Sequence, residues 1–183
     1  ENQTWKKHSV KLLNIFKNLP ARYGPDEFFN FPGRNGSGLV LPPIKTWPYQ
    51  NGFTINTWFR IDPVANSIIE KEKPYLYWFC TSKGHGYTAH FVGNCLVISY
   101  TKPKEKSFQH CIQHEFKSRE WHMITFAHQY QRWGKSNVQC HINGQLVSTA
   151  YFPWSLENNE LFDKCYIGCT PEQKDLTSFS GQL

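Results

Sequence analysis

No apolar run in the 183-residue sequence is long enough to span a bilayer as a helix. No charged-then-apolar leader with a small-residue cleavage site opens it, so no signal peptide is expected. Its six cysteines include no C-x-x-C pair, which argues against a zinc ribbon. The Gly-rich turn from Gly33 to Gly38 is followed by no Lys-Ser/Thr pair, so it is not a phosphate loop. Helical periodicity is missing outside residues 4–19, so strands must carry the fold. Acid is scarce: 14 Asp and Glu stand against 20 Lys and Arg, for a net charge of +6. Such a surplus suits acidic partners such as anionic lipid or acidic protein segments. The cations are spread over many loops, however, as on a solvated surface, and no nucleic-acid partner is inferred.

What is abundant is aromatic side chain, 16% of residues within a hydrophobic share of 39%. The length fits one domain with a sizeable core. The organising stretch runs from Ser118 to Ala150. Within it, Asn143-Gly144 separates two β-forming runs, Val138 to Ile142 and Gln145 to Thr149. Asn-Gly is the strongest short hairpin signal, because a type I′ turn needs φ > 0 at both central residues. A regular hairpin then sets Ile142 opposite Gln145, Cys140 opposite Val147, and Val138 opposite Thr149.

The chain divides into residues 1–25, an N-terminal helix and linker, and residues 26–183, an all-β unit. Thr4 to Leu19 carries a helical apolar stripe of Trp5, Leu12, Ile15, Phe16 and Leu19, ended by Pro20. That stripe is expected to dock on the outside of the β unit. Phe53 to Asp62 alternates cleanly, with Phe53, Ile55, Thr57, Phe59 and Ile61 on one face. Thr54, Asn56, Trp58, Arg60 and Asp62 lie on the other. Further strands are expected over Phe28 to Phe31, Leu39 to Leu41, Tyr75 to Ser82, Tyr87 to Val92, Cys95 to Thr101 and Phe108 to Phe116. Trp121 to His128 and Lys164 to Cys169 complete the set, with turn chemistry between. The last residues, from Phe179, read as a strand cut short, which would leave an unpaired edge.

Three stretches resemble the concanavalin A-like, laminin G-like sandwich family. They are Gly52-Phe53-Thr54-Ile55-Asn56-Thr57-Trp58-Phe59-Arg60, the Trp121-His122 strand with its Asn143-Gly144 hairpin, and Tyr166-Ile167-Gly168 with Phe179-Ser180-Gly181. Leu41-Pro42-Pro43-Ile44, Trp47-Pro48-Tyr49-Gln50-Asn51-Gly52, Lys73-Pro74-Tyr75 and Ala89-His90-Phe91-Val92-Gly93 are similar to the version of this domain in BEACH proteins. Within them they resemble the neurobeachin and lipopolysaccharide-responsive beige-like anchor group. The resemblance implies a two-sheet antiparallel jelly-roll with one N-terminal α-helix. It implies a module of a large cytosolic scaffold, peripheral to intracellular membranes, in vesicle trafficking and membrane-protein sorting. Armadillo-like helical repeats of the same chain would flank it.

Chemistry is thin. The E-x-D-x-x-E spacing of glycoside hydrolases with this sandwich is missing, and Glu157, Glu160 and Asp163 sit in a loop. Asp62, Glu70 and Glu72 make no convincing Ca²⁺ set. His110 and His114 stand about 13 Å apart if both lie on one strand, too far to share a metal. Neither a metal, a cofactor nor a catalytic residue is expected. All six cysteines read as reduced thiols, most of them small hydrophobes in strands, with Cys165–Cys169 the first pairing to suspect otherwise. Binding candidates are aromatic and cationic: Trp58 and Arg60 on the polar face of a central strand, Arg132, Trp133 and Lys135 at a loop tip, and Trp154. Such groups suit stacking and cation–π recognition of a peptide or a sugar. Two readings follow, a non-enzymatic protein-interaction module and an oligosaccharide-binding lectin domain.

Overall fold

Alternation of apolar and polar side chains builds twelve strands in the computed structural model, which describes residues 24–45, 47, 52–63, 73–153 and 161–183, with Lys11, Leu13 and Asn14. In order they are β1 (Asn30–Pro32), β2 (Leu39–Leu41), β3 (Phe53–Ile61), β4 (Tyr75–Cys80), β5 (Gly86–Val92) and β6 (Cys95–Thr101). Then come β7 (Phe108–Gln113), β8 (His122–Gln129), β9 (Asn137–Ile142), β10 (Gln145–Tyr151), β11 (Lys164–Ile167) and β12 (Ser180–Gln182). They form two six-stranded antiparallel sheets, ordered β1-β12-β3-β8-β9-β10 and β2-β11-β4-β5-β6-β7. This is the expected sandwich. Lys11, Leu13 and Asn14 are helical and exposed, whereas Trp5, Leu12, Ile15, Phe16 and Leu19 lie outside the described residues.

Period-2 patterning decides which face is buried. On β8, His122, Ile124, Phe126 and His128 are buried; on β9, Val138, Cys140 and Ile142 are. The two inner faces meet through rings. Tyr87 of β5 stacks parallel to Trp47 at 5.4 Å. It also meets Phe53 at 5.2 Å, His128 at 5.6 Å and Phe152 at 6.0 Å from the other sheet's side. Towards the far end, Phe59 of β3 meets Phe91 of β5 at 5.5 Å.

Three local expectations are corrected. The hairpin turn falls on Asn143-Gly144, with φ of 50° and 79°, and Gln145 pairs with Ile142. A bulge between Leu146 and Ser148 then advances the register by one, so Ser148 faces Cys140 and Ala150 faces Val138. The extra residue, Val147, stays exposed, which turn chemistry alone does not reveal. The closing strand is no free edge either. β12 lies between β1 and β3, and Leu183 and Phe29 exchange backbone hydrogen bonds. Gly181 makes this possible: at φ 145°, a Cβ there would lie 2.0 Å from the Arg60 carbonyl oxygen.

The thiol reading fails at two positions. Cys95 and Cys111 are joined by a disulfide, with Cα atoms 5.8 Å apart. Cys111 faces Val97 and Cys95 faces Gln113, so the two are diagonal neighbours on adjacent strands and share the outward face. At the other four positions the reduced-thiol reading holds. Cys165 and Cys169 are both buried and free, as are Cys80 and Cys140.

Gly144→Val forces a β-branched residue to φ > 0 and is expected to destabilise the protein by about 1–3 kcal/mol, read as a lower melting temperature. An unchanged melt would remove the turn from its structural role.

Burial drives the His128 pKa down to about 3, so the fold holds this ring neutral. The unfolded chain takes up the proton near pH 6.5. His128 therefore contributes stability that is fully present above pH 6.5 and is lost as pH falls towards 3. At pH 5 the loss is about 2 kcal/mol from this residue. His128→Phe should flatten the dependence of the urea midpoint on pH between 7 and 5, and an equally steep dependence would refute the assignment.

Candidate functional site

The outward face of β3 presents Thr54, Asn56, Trp58 and Arg60, since its alternate residues enter the core. Trp58 pairs with Met123 of β8, and two residues further along the same face Arg60 meets Trp121. The guanidinium lies 5.5 Å from the indole centroid, and its Nε donates to Gln182 Oε1 at 2.6 Å. Gln182 Nε2 donates to Asn30 Oδ1 at 2.7 Å. One polar ladder thus crosses β3, β12 and β1. Phe28 packs at 5.3 Å on Trp121, whose ring also covers Gly24. Phe28 and Phe29 remain 50% and 62% exposed, so the ledge ends in apolar surface.

Asn56 Nδ2 donates to Thr125 Oγ1 at 2.9 Å, and Thr125 pairs with His141, extending a polar surface across the sheet. None of the twelve strands contains Asp or Glu, so neither sheet presents the paired carboxylates that glycoside hydrolysis uses. Burial pushes the Cys80 and Cys140 thiols up to about 12, away from the nucleophilic thiolate. The Nε2 of His110 lies 2.6 Å from Ser148 Oγ where β7 meets β10, but burial lowers this histidine's pKa and no carboxylate of the described residues is among its contacts. Among the described residues no group of three His, Cys, Asp or Glu gathers to hold a metal.

The sequence candidates separate into two places. Trp58 and Arg60 share the ledge. Arg132, Trp133 and Lys135 lie on the β8–β9 loop at the opposite end, since Arg60 is seven residues, roughly 23 Å, along β3 from that end. Trp154 lies outside the described residues. Trp121, Phe28, Gln182 and Asn30 escaped sequence reasoning. Trp121 had a signal: it shares the face of Met123, whose partner is Trp58, but reading it requires the β3–β8 register.

Residues 33–183 match the family model of the concanavalin A-like lectin/glucanases superfamily. The chain belongs to that superfamily, as a laminin G-like sandwich. The curated relatives it matches include a neurobeachin homolog and BEACH domain-containing proteins. A neurobeachin homolog of Caenorhabditis elegans is 44% identical over 181 residues, covering 99% of this chain and 7% of that protein. The BEACH domain-containing protein lvsE of Dictyostelium discoideum is 28% identical over 160 residues, covering 86% of this chain and 7% of that protein. The chain thus spans 7% of the length of these relatives. Among solved structures, domains LG4-5 of the mouse laminin alpha1 chain superpose with a TM-score of 0.63 at 12% identity, covering 87% of this chain and 40% of that one. At that identity the likeness establishes the fold alone.

Arg60→Ala removes a charged donor from the Gln182 side chain, which is 6% exposed. The expected loss is about 1.5–3 kcal/mol in the urea midpoint. A loss below about 0.5 kcal/mol would mean that water replaces the guanidinium and that the ladder is not structural.

Proposed function

We propose that residues 26–183 form a non-enzymatic protein-interaction module within a large cytoplasmic BEACH-family scaffold that acts in vesicle trafficking and membrane-protein sorting. Its partner is a peptide or a neighbouring helical domain of the same chain, seated on the ledge of Trp58, Arg60, Trp121 and Phe28. The observation that carries this reading is the combination of a fixed cation, adjacent rings and half-exposed Phe28 and Phe29 on an open sheet face. Aromatic and Arg anchors of this kind dominate protein interfaces. Strands without carboxylates support the non-catalytic part, and the similarity to BEACH proteins supports the scaffold setting.

A second reading, oligosaccharide binding, is favoured by one observation: Trp58 and Trp121 lie near each other on a polar face of a lectin-type sandwich, where rings can stack on sugars.

One experiment separates them. The 183-residue chain is titrated against the flanking helical segment of the full-length protein, and in parallel against a glycan array with and without Ca²⁺. Binding to the helical segment is expected, weakened about tenfold by Trp58→Ala with Arg60→Glu, a change of 1.4 kcal/mol. Sugar binding that Trp58→Ala abolishes, without binding to the helical segment, would replace the first reading by the second.

A further inference from the structure

The β8–β9 loop carries the most exposed large apolar side chain of the described residues, Trp133 at 90%. This loop is held at its base. The Gln131 amide donates to Ser136 Oγ at 3.2 Å, and the Phe152 amide donates to the Ser136 carbonyl at 3.0 Å. Every residue from Gln129 to Lys135 is exposed, so the indole projects from a convex tip. Its surroundings are cationic and aromatic. Arg132 Cζ lies 5.6 Å from the Trp133 ring, and Lys135 Nζ lies 5.6 Å from the ring of Tyr151, itself 51% exposed. The β6–β7 loop reaches the same end, because Phe108 packs on Tyr151 and Phe152. It brings the exposed Lys104 and Lys106.

We propose that this end of the sandwich docks on an anionic lipid bilayer, with Trp133 entering the boundary between headgroups and acyl chains. An indole prefers that boundary, since its ring is apolar and its N–H remains hydrogen-bonded. Lysine and arginine beside it are drawn to the negative surface potential of anionic lipids. The net charge of +6 adds a long-range attraction of the same sign. Shape decides between a bilayer and an acidic peptide. Among the described residues the tip, exposed from Gln129 to Lys135, offers no walls in which a peptide could bury its side chains, whereas a bilayer is soft and closes around a protruding ring. The site is separate from the ledge at Arg60, and neither proposal rests on the other.

The test is co-sedimentation of the 183-residue chain with phosphatidylcholine vesicles with and without phosphatidylserine. Binding to the serine-containing vesicles alone is expected, falling as salt rises. Trp133→Ala should lower the partition constant about tenfold, and Arg132→Glu with Lys135→Glu at least as much. All three positions are exposed, so the melting temperature should not move, and vesicles should shift the tryptophan emission of the parent but not of Trp133→Ala. The proposal is overturned if neither vesicle binds the parent, or if Trp133→Ala sediments as the parent does. It is overturned too if polyglutamate binds while vesicles do not, which assigns the cations to an acidic protein segment.

Discussion

Tyr87 joins the two sheets at one end of the core. Its ring lies parallel to Trp47 and touches Phe53, His128, Phe152 and Phe162, so side chains from both sheets and from the Pro-broken segment before β3 converge on one residue. Rings bury more area per residue than aliphatic side chains and hold preferred mutual angles. A sandwich filled this way needs few residues to fix the spacing of its sheets. It also leaves no room for a charged imidazole, which is why His128 is held neutral there.

Committing the inner faces to rings dictates what the outer faces offer. The twelve strands carry no carboxylate, and the described acids lie outside them. Where Arg60 stands on the outer face of β3, its charge is met by Gln182 and by the Trp121 ring instead of an acid. The result is a polar and aromatic outer face with no carboxylate on its strands. The fold is that of the concanavalin A-like lectin/glucanases superfamily, with no paired acids on its described strands.

Strand ends set a second axis. The turns that leave β4, β6 and β8 fall at one end, and they carry Lys104, Lys106, Arg132 and Lys135 together with the exposed Trp133. The ledge of Trp121 and Phe28 lies towards the other end of β3. One small domain thus presents two chemically different surfaces, held apart by the length of a strand.

Local chemistry made most of the fold legible. Period-2 alternation located the strands to within a few residues. Asn143-Gly144 fixed the hairpin turn, because few other dipeptides accept two positive φ values. The same reasoning marked Trp58, Arg60 and Trp133 as surface candidates from alternation and loop position. What it missed depends on pairing between segments distant in sequence. The bulge at Val147, the insertion of β12 between β1 and β3, and the Cys95–Cys111 bond all follow from register. Register is settled by the packing of both sheets at once, and one strand's pattern does not contain it. The same limit hid Trp121: its place beside Arg60 exists only once β3 and β8 are paired.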